Sequence, residues 1–102
     1  VFESVRIFYL STLYVCVSGD CGGRIPCYHS IQNAVDTAAS GADIWIAGGT
    51  YPESITLNAS KALTLKGNWN AGFTAQTSTT RLSQAPTAPN GSLTLQELNI
   101  KP

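Results

Sequence analysis

The chain has 102 residues, of which 43% are hydrophobic and 12% charged, with six Lys and Arg balancing six Asp and Glu. That length suits one domain, 1–102, and that apolar content suits a folded chain rather than a disordered one. Zero net charge without a basic cluster argues against nucleic acid and anionic membrane surfaces as partners, and the apolar run near the start is too short to span a bilayer.

Residues 1–27 hold two apolar stretches and a cysteine loop. Ile7–Leu10 and Leu13–Val17 read either as a signal peptide with Arg6 as its basic flank or as two strands joined at Ser11–Thr12. The A-x-A cleavage pattern is missing, so strands are favoured. Cys16 in such a strand reads as a buried core residue. Cys21 and Cys27 close a short Gly-rich loop, with His29 just beyond. A Cys21–Cys27 disulfide, a zinc site of three Cys and His29, and unbonded thiols are the readings open there. Paired metal-ligand spacing is absent, which leaves no metal expected, and no motif calls for a cofactor.

Residues 28–67 organise the chain. Ser30 is a helix N-cap candidate, and Ile31, Ala34, Val35 and Ala38 follow at i, i+3, i+4 and i+7, one apolar stripe of a helix over 30–40. Gly41 stands where a left-handed residue would end it. The period then changes to alternation: Ile44 and Ile46 on one side, Asp43, Trp45 and Ala47 on the other. Further short strands are expected over 54–58 and 63–66.

Residues 68–102 are turn-rich and then repetitive. Trp69 and Phe73 are candidates for a sugar-stacking platform, because an aromatic face suits the C–H face of a sugar ring, or else for the edge of a core. Strands are expected over 80–83, 92–95 and 97–101. Ile44, Leu63, Leu82 and Leu98 are spaced by 19, 19 and 16 residues, a near-regular period that suggests stacked coils. Asn58 and Asn90 match the N-glycosylation pattern but read as turn residues that tolerate left-handed φ.

Ser30-Ile31-Gln32, Ala34, Ala38, Ala39, Gly41, Asp43-Ile44, Gly49-Thr50-Tyr51, Glu53, Ile55 and Leu63–Gly67 together resemble the opening of right-handed parallel β-helix proteins of the pectin-lyase-like superfamily. The resemblance covers roughly the middle 40% of the chain. It implies a mainly β fold: a short right-handed parallel β-helix of about three coils, with one N-terminal capping α-helix and the first coil at 28–67 and further coils at 68–102. It also implies an extracellular or cell-surface setting.

Function is less legible. His29 is the only histidine and no nucleophile turn accompanies it. Asp43 and Glu53 are the nearest carboxylates to a glycosidase or calcium-lyase pair, yet both sit at scaffold positions of the motif. The expectation is a non-catalytic module for assembly or weak carbohydrate or partner binding; the alternative is a fragment or relative of a carbohydrate-active β-helix enzyme, a polysaccharide lyase or glycoside hydrolase. A homo-oligomer is expected, formed through an open C-terminal rung or the N-terminal strand.

Overall fold

The computed structural model describes residues 12–17 and 21–100. The strand expected at Ile7–Leu10 lies outside them, as does Lys101. Among the described residues there are eight short strands and one α-helix, besides a 3-10 turn at Cys21–Gly23: β1 (Thr12–Val15), β2 (Cys27–Tyr28), α1 (Ile31–Thr37), β3 (Asp43–Ala47), β4 (Gly49–Tyr51), β5 (Ala62–Trp69), β6 (Thr80–Leu82), β7 (Ser92–Gln96) and β8 (Asn99–Ile100). They form two open sheets, one of five strands in the order β2-β1-β3-β5-β7 and one of three in the order β4-β6-β8. Every pairing is parallel.

Alternation explains which side of each strand is covered. Leu13, Val15, Ile44, Ile46, Leu63 and Leu65 point from the five-stranded sheet into the core, where they meet Tyr51 and Leu82 of the other sheet. Ile31, Ala34 and Val35 of α1 join the same core, the helical stripe having found its apolar partner. Ile55 and Leu57 are buried there too, although their segment forms only an isolated bridge between Thr56 and Thr87.

This arrangement corrects the expected architecture. The chain is a small α/β structure whose sheets do not close, and it is not a parallel β-helix of about three coils. Leu13 pairs with Ile44, Ile44 with Leu65 and Leu65 with Leu95, so successive paired positions are separated by 31, 21 and 30 residues (44−13, 65−44, 95−65) rather than by a constant repeat. The period near 20 combined residues of different sheets: Ile44 and Leu63 lie in the first, Leu82 in the second, and Leu98 between strands. Nor is α1 an N-terminal cap, because β1 and β2 precede it and its contacts run to β1, β2 and β3. The radius of gyration, 13.0 Å, is that of a compact chain of this length.

Local expectations also need adjustment. The strand expected over 54–58 is absent, while β2 and β4 are short strands that period-2 reading does not detect. Helix α1 ends at Thr37, where Ala38 turns extended (φ −66°, ψ 144°); Gly41 does adopt left-handed φ, but in the turn beyond the helix. Neither Asn58 nor Asn90 takes a positive φ; instead the Asn90 amide donates to the Asn58 side-chain oxygen, joining two exposed loops.

Three polar devices lock these pieces. Glu53 accepts from the backbone N–H of Ile31 and of Gln32, both at 3.0 Å, while Ser30 Oγ accepts from Asn33 N–H. Three of the helix's orphan donors are thereby satisfied. The Gln32 amide imitates a strand: its Oε1 accepts from Thr56 N–H at 2.8 Å and its Nε2 donates to Thr56 O at 2.9 Å. Between the sheets, fully buried Thr80 donates from Oγ1 toward the carbonyls of Ile46 and Ala47 and accepts from Asn68 N–H at 2.7 Å.

Candidate functional site

The outer face of the five-stranded sheet carries the side chains that alternation turns away from the core. Tyr14 of β1 is paired with Trp45 of β3, and Trp45 with Lys66 of β5. Beyond Trp45 the register shifts, so that Ala47 is opposite Trp69. The extra residue in β5 is a bulge, with Asn68 at φ 63°, a conformation asparagine tolerates better than most residues. Without it Asn68 would stand beside Ala47. With it, Trp69 lands on Trp45.

The two indoles stack with centroids 4.0 Å apart and planes 7° from parallel. Tyr14 meets Trp45 edge-on at 5.7 Å and Phe73 edge-on at 5.0 Å, and Phe73 lies tilted against Trp69 at 6.4 Å. The Arg24 guanidinium sits 6.0 Å above the Tyr14 ring, within cation–π range. Beside the indoles, Lys66 and Asp43 form an ion pair at 3.4 Å.

Of the candidate platform residues, Phe73 is only 2% exposed and supports the others from beneath. Trp69 is half-buried and spends one face on Trp45, also half-buried. The Nε1 atoms of both are buried with no hydrogen-bond partner among the described residues. What the indoles show to solvent is therefore ring carbon. The role of Trp45 was hidden in the sequence because its stacking partner is set by a bulge, although its outward position follows from alternation with Ile44 and Ile46.

The same side of the sheet holds the cysteines. Cys21 and Cys27 are joined in a disulfide with Cα atoms 5.8 Å apart. Cys16, the residue after β1, is buried on this outer side and not in the core between the sheets, and places its sulphur 3.4 Å from that of Cys21. The three sulphurs lie within 4.8 Å of one another, and exposed His29 is not part of this group. Asp43 and Glu53 have structural partners, Lys66 and the start of α1 respectively.

Tyr51 is buried between the sheets and donates its hydroxyl to Ala47 O at 2.9 Å. Burial above all, with charge at Cys16 and Glu53 adding to it, pushes its phenol well above the ordinary range. No helix among the described residues is long and apolar enough to cross a membrane. Comparison of the chain with family models, with curated proteins and with solved structures finds no match.

Proposed function

We propose that the chain is a non-catalytic binding module whose outer sheet face takes carbohydrate weakly. The stacked, half-exposed Trp45–Trp69 pair carries this reading. Its solvent-facing surface is carbon, which suits the C–H face of a sugar ring, and the Lys66–Asp43 pair beside it offers a donor and an acceptor to sugar hydroxyls. A single platform with so few polar contacts supports binding on the order of −4 kcal/mol, a Kd near millimolar. A glycan array, followed by affinity electrophoresis in soluble polysaccharide, tests it. The native chain should be retarded by at least one polysaccharide and Trp45→Ala should not. Turnover of a pectic substrate in the presence of calcium would overturn the non-catalytic reading.

A second reading, self-assembly, rests on a different observation. Strand β7 is an edge whose outer side pairs with nothing among the described residues, and its Leu95 is 38% exposed. Such an edge invites another strand, and a second copy of the chain supplies one. Light scattering at micromolar concentration should show a dimer or small oligomer that Leu95→Lys disperses; a monomer throughout would count against it.

A further inference from the structure

Three sulphurs meet at the end of the aromatic face, and those of Cys21 and Cys27 form the disulfide. Cys16 is 4% exposed and Cys21 fully buried, while Cys27, opposite Tyr14 in the sheet register, is half-buried. The sulphur of Cys16 approaches that of Cys21 to 3.4 Å, a near-attack distance. The Cys21 backbone N–H also donates to Cys16 Sγ at 2.9 Å, which tethers the attacking sulphur to its target residue.

We propose that these residues form an intramolecular thiol–disulfide exchange site. Cys16 Sγ, as thiolate, attacks Cys21 Sγ; the Cys16–Cys21 bond forms, the Cys21–Cys27 bond breaks, and Cys27 leaves as thiolate. The proton lost by Cys16 to solvent is matched by one that Cys27 takes up, and no oxidant or reductant is consumed. Collinear attack needs the outer sulphurs about 5.4 Å apart, the approach distance plus an S–S bond of about 2.0 Å. All three now lie within 4.8 Å, so the Cys27 side chain rotates outward during the step. Its partial exposure leaves room for that.

The surroundings favour this direction of departure. Arg24 belongs to the loop that Cys21 and Cys27 close, and its guanidinium lies over Tyr14, the residue paired with Cys27. A positive charge on that side stabilises a thiolate leaving group. Exchange therefore moves the disulfide into the buried pair and delivers a reactive thiol to the surface beside the aromatic face.

Trapping tests this. The unreduced native chain is incubated with N-ethylmaleimide at about pH 8, quenched in acid, and cut after Arg24 and before Asp20, which separates all three cysteines for mass spectrometry. The label should accumulate on Cys27, several-fold over Cys16, in chains that carry a Cys16–Cys21 bond. In Cys16→Ser no label should reach Cys27. Cys27→Ser, oxidised with glutathione disulfide, should form the Cys16–Cys21 bond. Label confined to Cys16 with Cys21–Cys27 intact, no label at all, or a Cys27→Ser chain that never forms the alternative bond would each overturn the proposal; the wild-type measurement decides even if a variant does not fold.

Discussion

Replacing Glu53 with Ala should destabilise the chain by about 2–3 kcal/mol, far more than a change at a half-buried loop residue ordinarily does. The carboxylate accepts from Ile31 N–H and Gln32 N–H at 3.0 Å each, tying the first turn of α1 to the segment after β4. A hydrogen bond to a charged acceptor contributes about 1.5–3 kcal/mol and loss of an N-cap costs about 0.5–2, while the helix N-terminus adds a few tenths for the negative charge. Partial exposure lets water reach the vacated N–H groups, which trims the sum. The helix has only seven residues and does not stand without tertiary support. In urea melts the Cm should fall at unchanged slope, and Tm should drop by roughly 10–20 °C at about 4–8 °C per kcal/mol. Glu53→Gln retains one acceptor and should lose about half as much. A loss below about 0.5 kcal/mol for Glu53→Ala would refute the claim that this side chain holds the helix in place.

Three further outcomes follow from the core. Thr80→Val keeps the shape but removes the hydroxyl that serves Ile46 O, Ala47 O and Asn68 N–H, and should cost about 1–3 kcal/mol in urea melts, whereas a neutral result would mean that the sheets are not joined there. Ile44→Ala, at a fully buried central position, should cost about 2–5 kcal/mol; a smaller loss in the same assay would place the wrong face inside. Buried Tyr51 keeps its proton in the folded state at pH values where the unfolded chain, near its ordinary pKa of about 10, gives it up. Its contribution is therefore whole below pH 10 and declines above it, by up to about 1.4 kcal/mol per pH unit. Tyr51→Phe should lack that alkaline decline, and equal slopes for the two chains in pH-dependent melts would contradict it.

The sequence showed the parts of this structure that are periodic and hid those that depend on pairing. Ser30 and the Ile31, Ala34, Val35 stripe announce a helix start through local chemistry, and Ile44, Ile46, Leu63 and Leu65 announce inner faces through alternation; all these apolar residues are buried. Strand order carries no such local signature. Leu63 and Leu93 prove to be direct partners, whereas Leu82 lies in the other sheet, and spacing alone joined the wrong rows. The candidate site suffered most. Trp69 reaches Trp45 only because β5 contains one extra residue, and the approach of the Cys16 sulphur to that of Cys21, five positions along the chain, is encoded by no motif. Glu53 was visible as a scaffold carboxylate, but its acceptor role across more than twenty residues was not.

The central claim, that the outer face built around the two indoles is the ligand surface, has a direct optical test because the chain contains just two tryptophans and both are in the site. Intrinsic fluorescence can be titrated with a panel of neutral and acidic polysaccharides at concentrations up to the millimolar range in sugar units. Binding at the face predicts a saturable change in intensity or emission maximum with at least one polysaccharide, abolished in Trp45→Ala while the far-ultraviolet circular dichroism of that variant stays native. A ligand found on the array that binds with full affinity yet leaves both tryptophans spectrally unchanged would contradict the claim and move the binding surface elsewhere on the molecule.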